Sequence, residues 1–387
     1  MMKSEPRGQR TARKRVEITS KYLGEPALLF ADGGEDVDPK MGIATFGPQS
    51  CGTTRHPRRI RVGFVGSADT VEATRDWLTT VGDGVRESEG EYPFPGFALD
   101  RGFFSEVAFS SDWDEQLTRT ELKAITSQRN DKLRFQEAHQ ILSAKLKLVH
   151  ERDMSPDIVI AALPTGLIRH TRVADYWDRE RGQVHRDLRR ALKASAMDMG
   201  VSTQIVLSRT VKGGRGVDLP ERRAWNLFTA MYFKAGGVPW KPLNLPQGTC
   251  FIGISFYRPL GTMHNTLRTS VAMAFDESGE GLILRGQDFE WSEDKGPSPH
   301  LDAEQAEALL AMAITRYQAE RKTTPRRVVV HKSSGFWPGE KEGFEAALGK
   351  QVSSYDLLAF APSSATRLVR QGQYPPLRGT WFSAGDL

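Results

Sequence analysis

The chain has 387 residues with 53 Lys and Arg against 48 Asp and Glu, a net charge of +5. That length can bury more than one core, and the mild basic excess permits a polyanionic partner without demanding one. Two distant cysteines, Cys51 and Cys250, with no CxxC spacing, exclude a disulfide-stapled scaffold and suit a reducing compartment, and no apolar run reaches the length of a membrane span.

Residues 1–23 open with MMKSEPRGQRTARKR, which is basic and lacks the apolar core of a secretion signal; they read as a flexible basic tail on a cytoplasmic protein. Residues 24–58 form a lead-in segment. Within it, PALLFADGGEDVDPKMGIATFGP reads as a short strand, a Gly/Asp turn and a second strand from Ile43 to Phe46. From Arg59, RIRVGFVGSADTVEATRDWLTTV reads as strand, Gly turn and helix, and DIVIAALP at 157–164 adds a buried strand. This alternation predicts an α/β layer with a parallel sheet. Gly63 and Gly66 make GxxG rather than the full three-glycine fingerprint, so nucleotide binding there stays an alternative. The helical LRFQEAHQILSAKLKLVHERD and the aromatic turn YPFPGF read as core and connections.

The richest stretch runs from His185 to Trp240. It reads as an amphipathic helix, with Val184, Leu188, Ala191, Leu192 and Met199 at helical spacing and Arg186, Arg189, Arg190 and Lys193 between them. Arg189 and Lys193 lie one turn apart. Thr203 and Gln204 precede a short apolar strand, Ile205 to Leu207, and a second helix carries Asn226 and Lys234 before the Gly236–Gly237 stop. Two cations on one turn, an amide and a third cation can cradle a terminal phosphate. The same cations at i and i+4 also fit the solvated face of an ordinary helix. The Gly-rich VKGGRGVDLP at 211–220 lacks the GK[ST] ending of a phosphate loop and reads as a flexible connection.

A second α/β unit begins near Gln247. GTCFIGISFYR is a strand, TSVAMAFDESGEGLILRG a hairpin, LDAEQAEALLAMAITRYQAER a long amphipathic helix, PRRVVVHKSSGFWPGEKEGFEAAL a strand and helix, and YDLLAFAP a further strand.

The Arg-x-x-x-Lys helix, the Thr-Gln entry to the next strand and the pattern N-(x)7-K-x-G-G-x-P-W ending in KAGGVPW resemble the phosphate pocket of the Argonaute MID domain. YPFPGF, the strand order after Gln247 and RLVRQGQYPPLRGTW resemble the same family. The resemblance implies an α/β chain with a Rossmann-like MID domain at 59–245 followed by a ribonuclease-H-like PIWI domain at 246–387. It implies that Arg189, Lys193, Gln204, Asn226 and Lys234 hold the 5′-phosphate of a single-stranded guide, with Gln204 as ligand to Mg2+ shared with that phosphate. One departure is Ala230, where some members carry a further lysine.

An active PIWI nuclease needs several carboxylates converging on two metal ions. Ser255 and Ser333 stand where two of those acids are expected, and neutral hydroxyls cannot supply the charge. Asp276 is expected at a hairpin turn, and Glu290 and Glu340 as surface charges. The expectation is therefore a catalytically inactive member, not an enzyme, of the short prokaryotic type without N and PAZ domains. The sequence stops at GTWFSAGDL, earlier than the family pattern, as a truncated product would or one whose last strands come from elsewhere. Such a member uses its guide, RNA or DNA, to recognise a complementary target strand in prokaryotic defence. It passes the signal to an APAZ-domain effector partner carrying a TIR, sirtuin-like or nuclease module. The alternative is a metal-dependent nuclease or nucleotide-binding enzyme.

Overall fold

The computed structural model describes residues 18–85, 92–179, 182–257, 266–275, 281–291, 296, 298–360 and 368–384. The chain forms two compact units, a small one of residues 1–26 with 363–387 and a large one of 27–362. In the small unit, Ile18–Tyr22 pairs antiparallel with Thr380–Ala384. The stretch expected to be tail through residue 23 thus contains a strand, for which the β-branched and aromatic residues of ITSKY are suited.

In the large unit, helix α1 (Pro39–Phe46) replaces the strand expected at Ile43 to Phe46. Asp38 accepts hydrogen bonds from the backbone N–H groups of Lys40 and Met41, and Pro39 occupies the first turn, so Asp-Pro is a helix start.

The first sheet has five parallel strands: β1 (Arg59–Gly66), β2 (Glu106–Phe109), β3 (Ile158–Leu163) and β6 (Thr203–Leu207) in the order β6-β3-β1-β2, and the short Glu115–Gln116, which pairs with the end of β1. Helix α2 (Ala68–Gly82) follows β1, and α3 (Asp131–His150) precedes β3. Close packing explains both glycines of the GxxG. A Cβ on Gly63 would come within 2.3 Å of the Trp113 carbonyl oxygen, and one on Gly66 within 2.3 Å of that of Ala162. The sheet's approach to its neighbours, rather than a phosphate, requires these residues.

An antiparallel ribbon of β4 (Val173–Asp178) and β5 (Gly182–Asp187) leads into α4 (Leu188–Asp198). The amphipathic helix expected from Val184 therefore starts four residues later, because Asp187 caps it by accepting from the Arg190 N–H. Along β6 the side chains alternate. Ile205 and Leu207 pack with Leu188, Leu192 and Ala196 of α4 on one face, while Val206 packs with Ala224, Leu227, Phe228 and Met231 of α5 (Pro220–Lys234) on the other.

The second sheet has the order β9-β8-β7-β10-β11, with β7 (Thr249–Tyr257), β8 (Thr266–Phe275) and β9 (Gly281–Glu290) antiparallel, and β10 (Arg327–Lys332) and β11 (Ser354–Ala359) parallel to β7. Its core is closed by α6 (Ala303–Arg321) and α7 (Pro338–Gly349) through Leu310, Ala313, Ile314, Phe344 and Leu348 against Ile252, Val328 and Val330. Among the described residues no helix is long and apolar enough to cross a membrane.

Candidate nucleic-acid interface

Strand β6 pairs with β3 on one side and ends the described sheet on the other. Helix α4 turns into β6 within residues 199–202, and Lys234 at the end of α5 reaches Thr203 at the start of β6. Both helices therefore run antiparallel to β6, on opposite faces, and their last turns flank the same end of this edge strand.

Lys234 Nζ donates to the Thr203 carbonyl at 2.5 Å and to Gln204 Oε1 at 2.6 Å. Its pKa is lowered to about 8, first by burial and then by the fields of Lys193 and Arg189. The structure thus brings together Lys234, Gln204, Lys193 and Arg189 from α5, β6 and α4. Asn226 lines a cavity of about 300 Å³ together with Gln204, Arg209 and Arg223. A second cavity, of about 480 Å³, is lined by Arg189, Arg172, Leu163, Leu188, Leu207 and their neighbours. Both are of ligand-pocket size.

Ile205, Arg209 and Thr210 line both cavities. Arg209 and Thr210 were missed in the sequence, although they directly follow the apolar strand in QIVLSRT, where a chain leaving the carboxyl end of a parallel strand meets a site. Ala230, the departure from the family pattern, adds no charge to the face of α5. A buried ammonium that two neighbouring cations lower further gains when an anion joins it.

The second sheet gathers a different group. Ile254 and Lys332 are the last paired residues of β7 and β10, so Ser255 and Ser333 follow side by side, both exposed. Ser333 N–H points to the Ile254 carbonyl at 3.4 Å. Glu340, expected at the surface, is instead fully buried and ion-paired with Lys332 at 2.7 Å, because it closes the first turn of α7 over the end of β10. Asp276 lies outside the described residues, and of Glu290 only the backbone, in β9, is described. Among the described residues no group of three or more His, Cys, Asp or Glu is placed to hold a metal ion.

No family model and no curated protein matches the sequence. The fold, however, is similar to solved Argonaute structures. Clostridium butyricum Argonaute bound to a guide DNA and a 19-mer target DNA matches 95% of this chain with a TM-score of 0.62 at 14% identity. A. aeolicus Argonaute matches 94% with a TM-score of 0.53 at 14% identity. Marinitoga piezophila Argonaute in complex with a 5′ OH guide RNA matches 90% with a TM-score of 0.53 at 12% identity. The chain spans 43%, 43% and 46% of these proteins, respectively. It has an Argonaute/PIWI-like fold, a mixed α/β architecture with a parallel-sheet core similar to Argonaute MID–PIWI structures.

Proposed function

We propose that this chain is a guide-strand-binding protein of the short MID–PIWI type. It holds the 5′-phosphate of a single-stranded nucleic acid at the edge of β6 and uses that guide to recognise a complementary target without cutting it. The observation that carries the reading is the seating of Lys234 on Gln204, where burial first and then the fields of Lys193 and Arg189 lower its pKa to about 8. The cavity of about 480 Å³ beside Arg189 has room for the first nucleotide's base. The chain's similarity to the Clostridium butyricum protein, whose structure holds guide and target DNA, supports the same assignment.

Mg2+ enters this proposal only within the guide complex. Gln204 offers one neutral oxygen, already accepting from Lys234, so the protein's donors alone do not fit a divalent cation. The guide's phosphate oxygens would have to supply the charge. Recognition would serve prokaryotic defence in the cytoplasm through an APAZ-domain effector partner with a TIR, sirtuin-like or nuclease module.

The test compares 5′-phosphorylated and 5′-hydroxyl single strands by fluorescence polarisation, with Mg2+ and with chelator. Lys193→Ala combined with Lys234→Ala should weaken the phosphorylated strand far more than the hydroxyl strand, each charged contact being worth about 1.5–3 kcal/mol. Equal losses for both strands would reduce these lysines to general backbone contacts. Loss of metal dependence in Gln204→Ala, with binding retained, would support its place beside the ion.

A further inference from the structure

Phe233 stands immediately before the cradle's Lys234, and Met197 lies one turn beyond its Lys193; both side chains are open to solvent, at 58% and 67% exposure. Single exposed apolar residues are ordinary on a protein surface. These two occupy the last turns of α5 and α4, which flank the same end of β6, the end where Lys234 meets Thr203. On α5, Phe233 falls on the same stripe as Asn226 two turns earlier, the residue that lines the cavity with Gln204. Phe233 is absent from the buried cluster that anchors α5, so the helix packs without it. Cations for phosphates beside flat apolar groups for bases are what a protein needs to hold a single strand.

We propose that Phe233 is a stacking platform for a nucleobase near the 5′ end of the strand whose terminal phosphate sits in the cradle, with Met197 as an apolar wall across the end of β6. The inference rests on the guide-binding reading and adds to it a contact with a base rather than a phosphate. Every base has a π-face, so this contact is tolerant of sequence. It also acts whether or not the terminal phosphate is present.

The experiment measures binding of 5′-phosphorylated and 5′-hydroxyl single strands to the full chain and to Phe233→Ala, Phe233→Leu and Phe233→Trp. A matched set of strands carries one abasic nucleotide at the second, third or fourth position. Phe233→Ala and Phe233→Leu should each lose about ten-fold in affinity, equally for both 5′ ends, while Phe233→Trp retains affinity and its added fluorescence is quenched on binding. One abasic strand should lose the same factor with the wild-type chain and show no further loss with Phe233→Ala. Unchanged affinity of Phe233→Ala, or a loss that persists in full on every abasic strand, overturns the platform while leaving the phosphate cradle intact. A wild-type chain that binds no single strand overturns both readings.

Discussion

Lys332 and Glu340 form an ion pair of 2.7 Å with both side chains withdrawn from water. The ammonium also donates to the Gly335 carbonyl at 2.8 Å and lies over the rings of Phe256 and Phe336, while the other carboxylate oxygen accepts from the Leu301 N–H at 3.0 Å. One pair therefore ties the end of β10, the 333–337 turn, α7 and the entry to α6. Lys332→Met leaves a buried carboxylate without its cation and is expected to cost about 3–5 kcal/mol in urea unfolding. The double variant Lys332→Met/Glu340→Leu should recover most of that loss, since the unpaired charge is gone. A single variant as stable as wild type would mean that water reaches Glu340.

Lys234 makes guide binding sensitive to pH. In the free protein its pKa is about 8, held down by burial, Lys193 and Arg189. A phosphate beside it favours the charged form, so the bound-state pKa lies higher. Binding then takes up a proton between the two values, and affinity for a 5′-phosphorylated strand should fall as pH rises through 8 and beyond, while below about pH 6 protonation of the terminal phosphate itself weakens it. Lys234→Arg keeps its charge across this range and should flatten the profile. An unchanged slope in that variant would assign the titration to another group.

A chain that tracks a strand beyond its terminal phosphate releases several counterions. The logarithm of affinity should fall with the logarithm of salt concentration by about 0.7 for each phosphate neutralised on a single strand. The cradle of Arg189, Lys193 and Lys234 meets one terminal phosphate, so a slope near −2 or steeper is expected only when about two further phosphates of the strand are neutralised as well. Titrations across a series of KCl concentrations that give a slope near zero would indicate a small-ligand pocket instead.

The parallel core, the two helices beside β6 and the second sheet were legible because their apolar periodicity is strong: Ile158–Leu163 is buried at every position, and α6 repeats Ala306, Leu310, Ala313 and Tyr317 on one face. The cradle residues were legible as a pattern, but their convergence was not, since it depends on β6 being a sheet edge with α4 and α5 on opposite faces. Helix α1 was missed because the apolar run IATF outweighed the Asp38–Pro39 start. Glu340 was misplaced for a different reason. In GEKEGF every charge has the same appearance, and only the fold shows that this carboxylate, alone in the run, turns inward to meet the ammonium at the end of a neighbouring strand.

The paired serines at the ends of β7 and β10 lead to the last prediction. Ser255 and Ser333 follow the final register pair of two adjacent parallel strands, so carboxylates in their places would face the same region of space. Two-metal hydrolysis needs further acids around ions about 4 Å apart, and Glu340 is committed to Lys332. Ser255→Asp combined with Ser333→Asp is therefore expected to add weak Mg2+ affinity by calorimetry, no efficient cleavage of a labelled target, and no change in guide binding, because the cradle at β6 belongs to the other sheet. Freeing Glu340 with Lys332→Met in that background should not restore cleavage, since the carboxylate would stay buried and the fold would lose stability. Target cutting by the purified wild-type chain, metal-dependent and abolished by Asp276→Asn, would overturn the non-cleaving reading and establish the nuclease alternative.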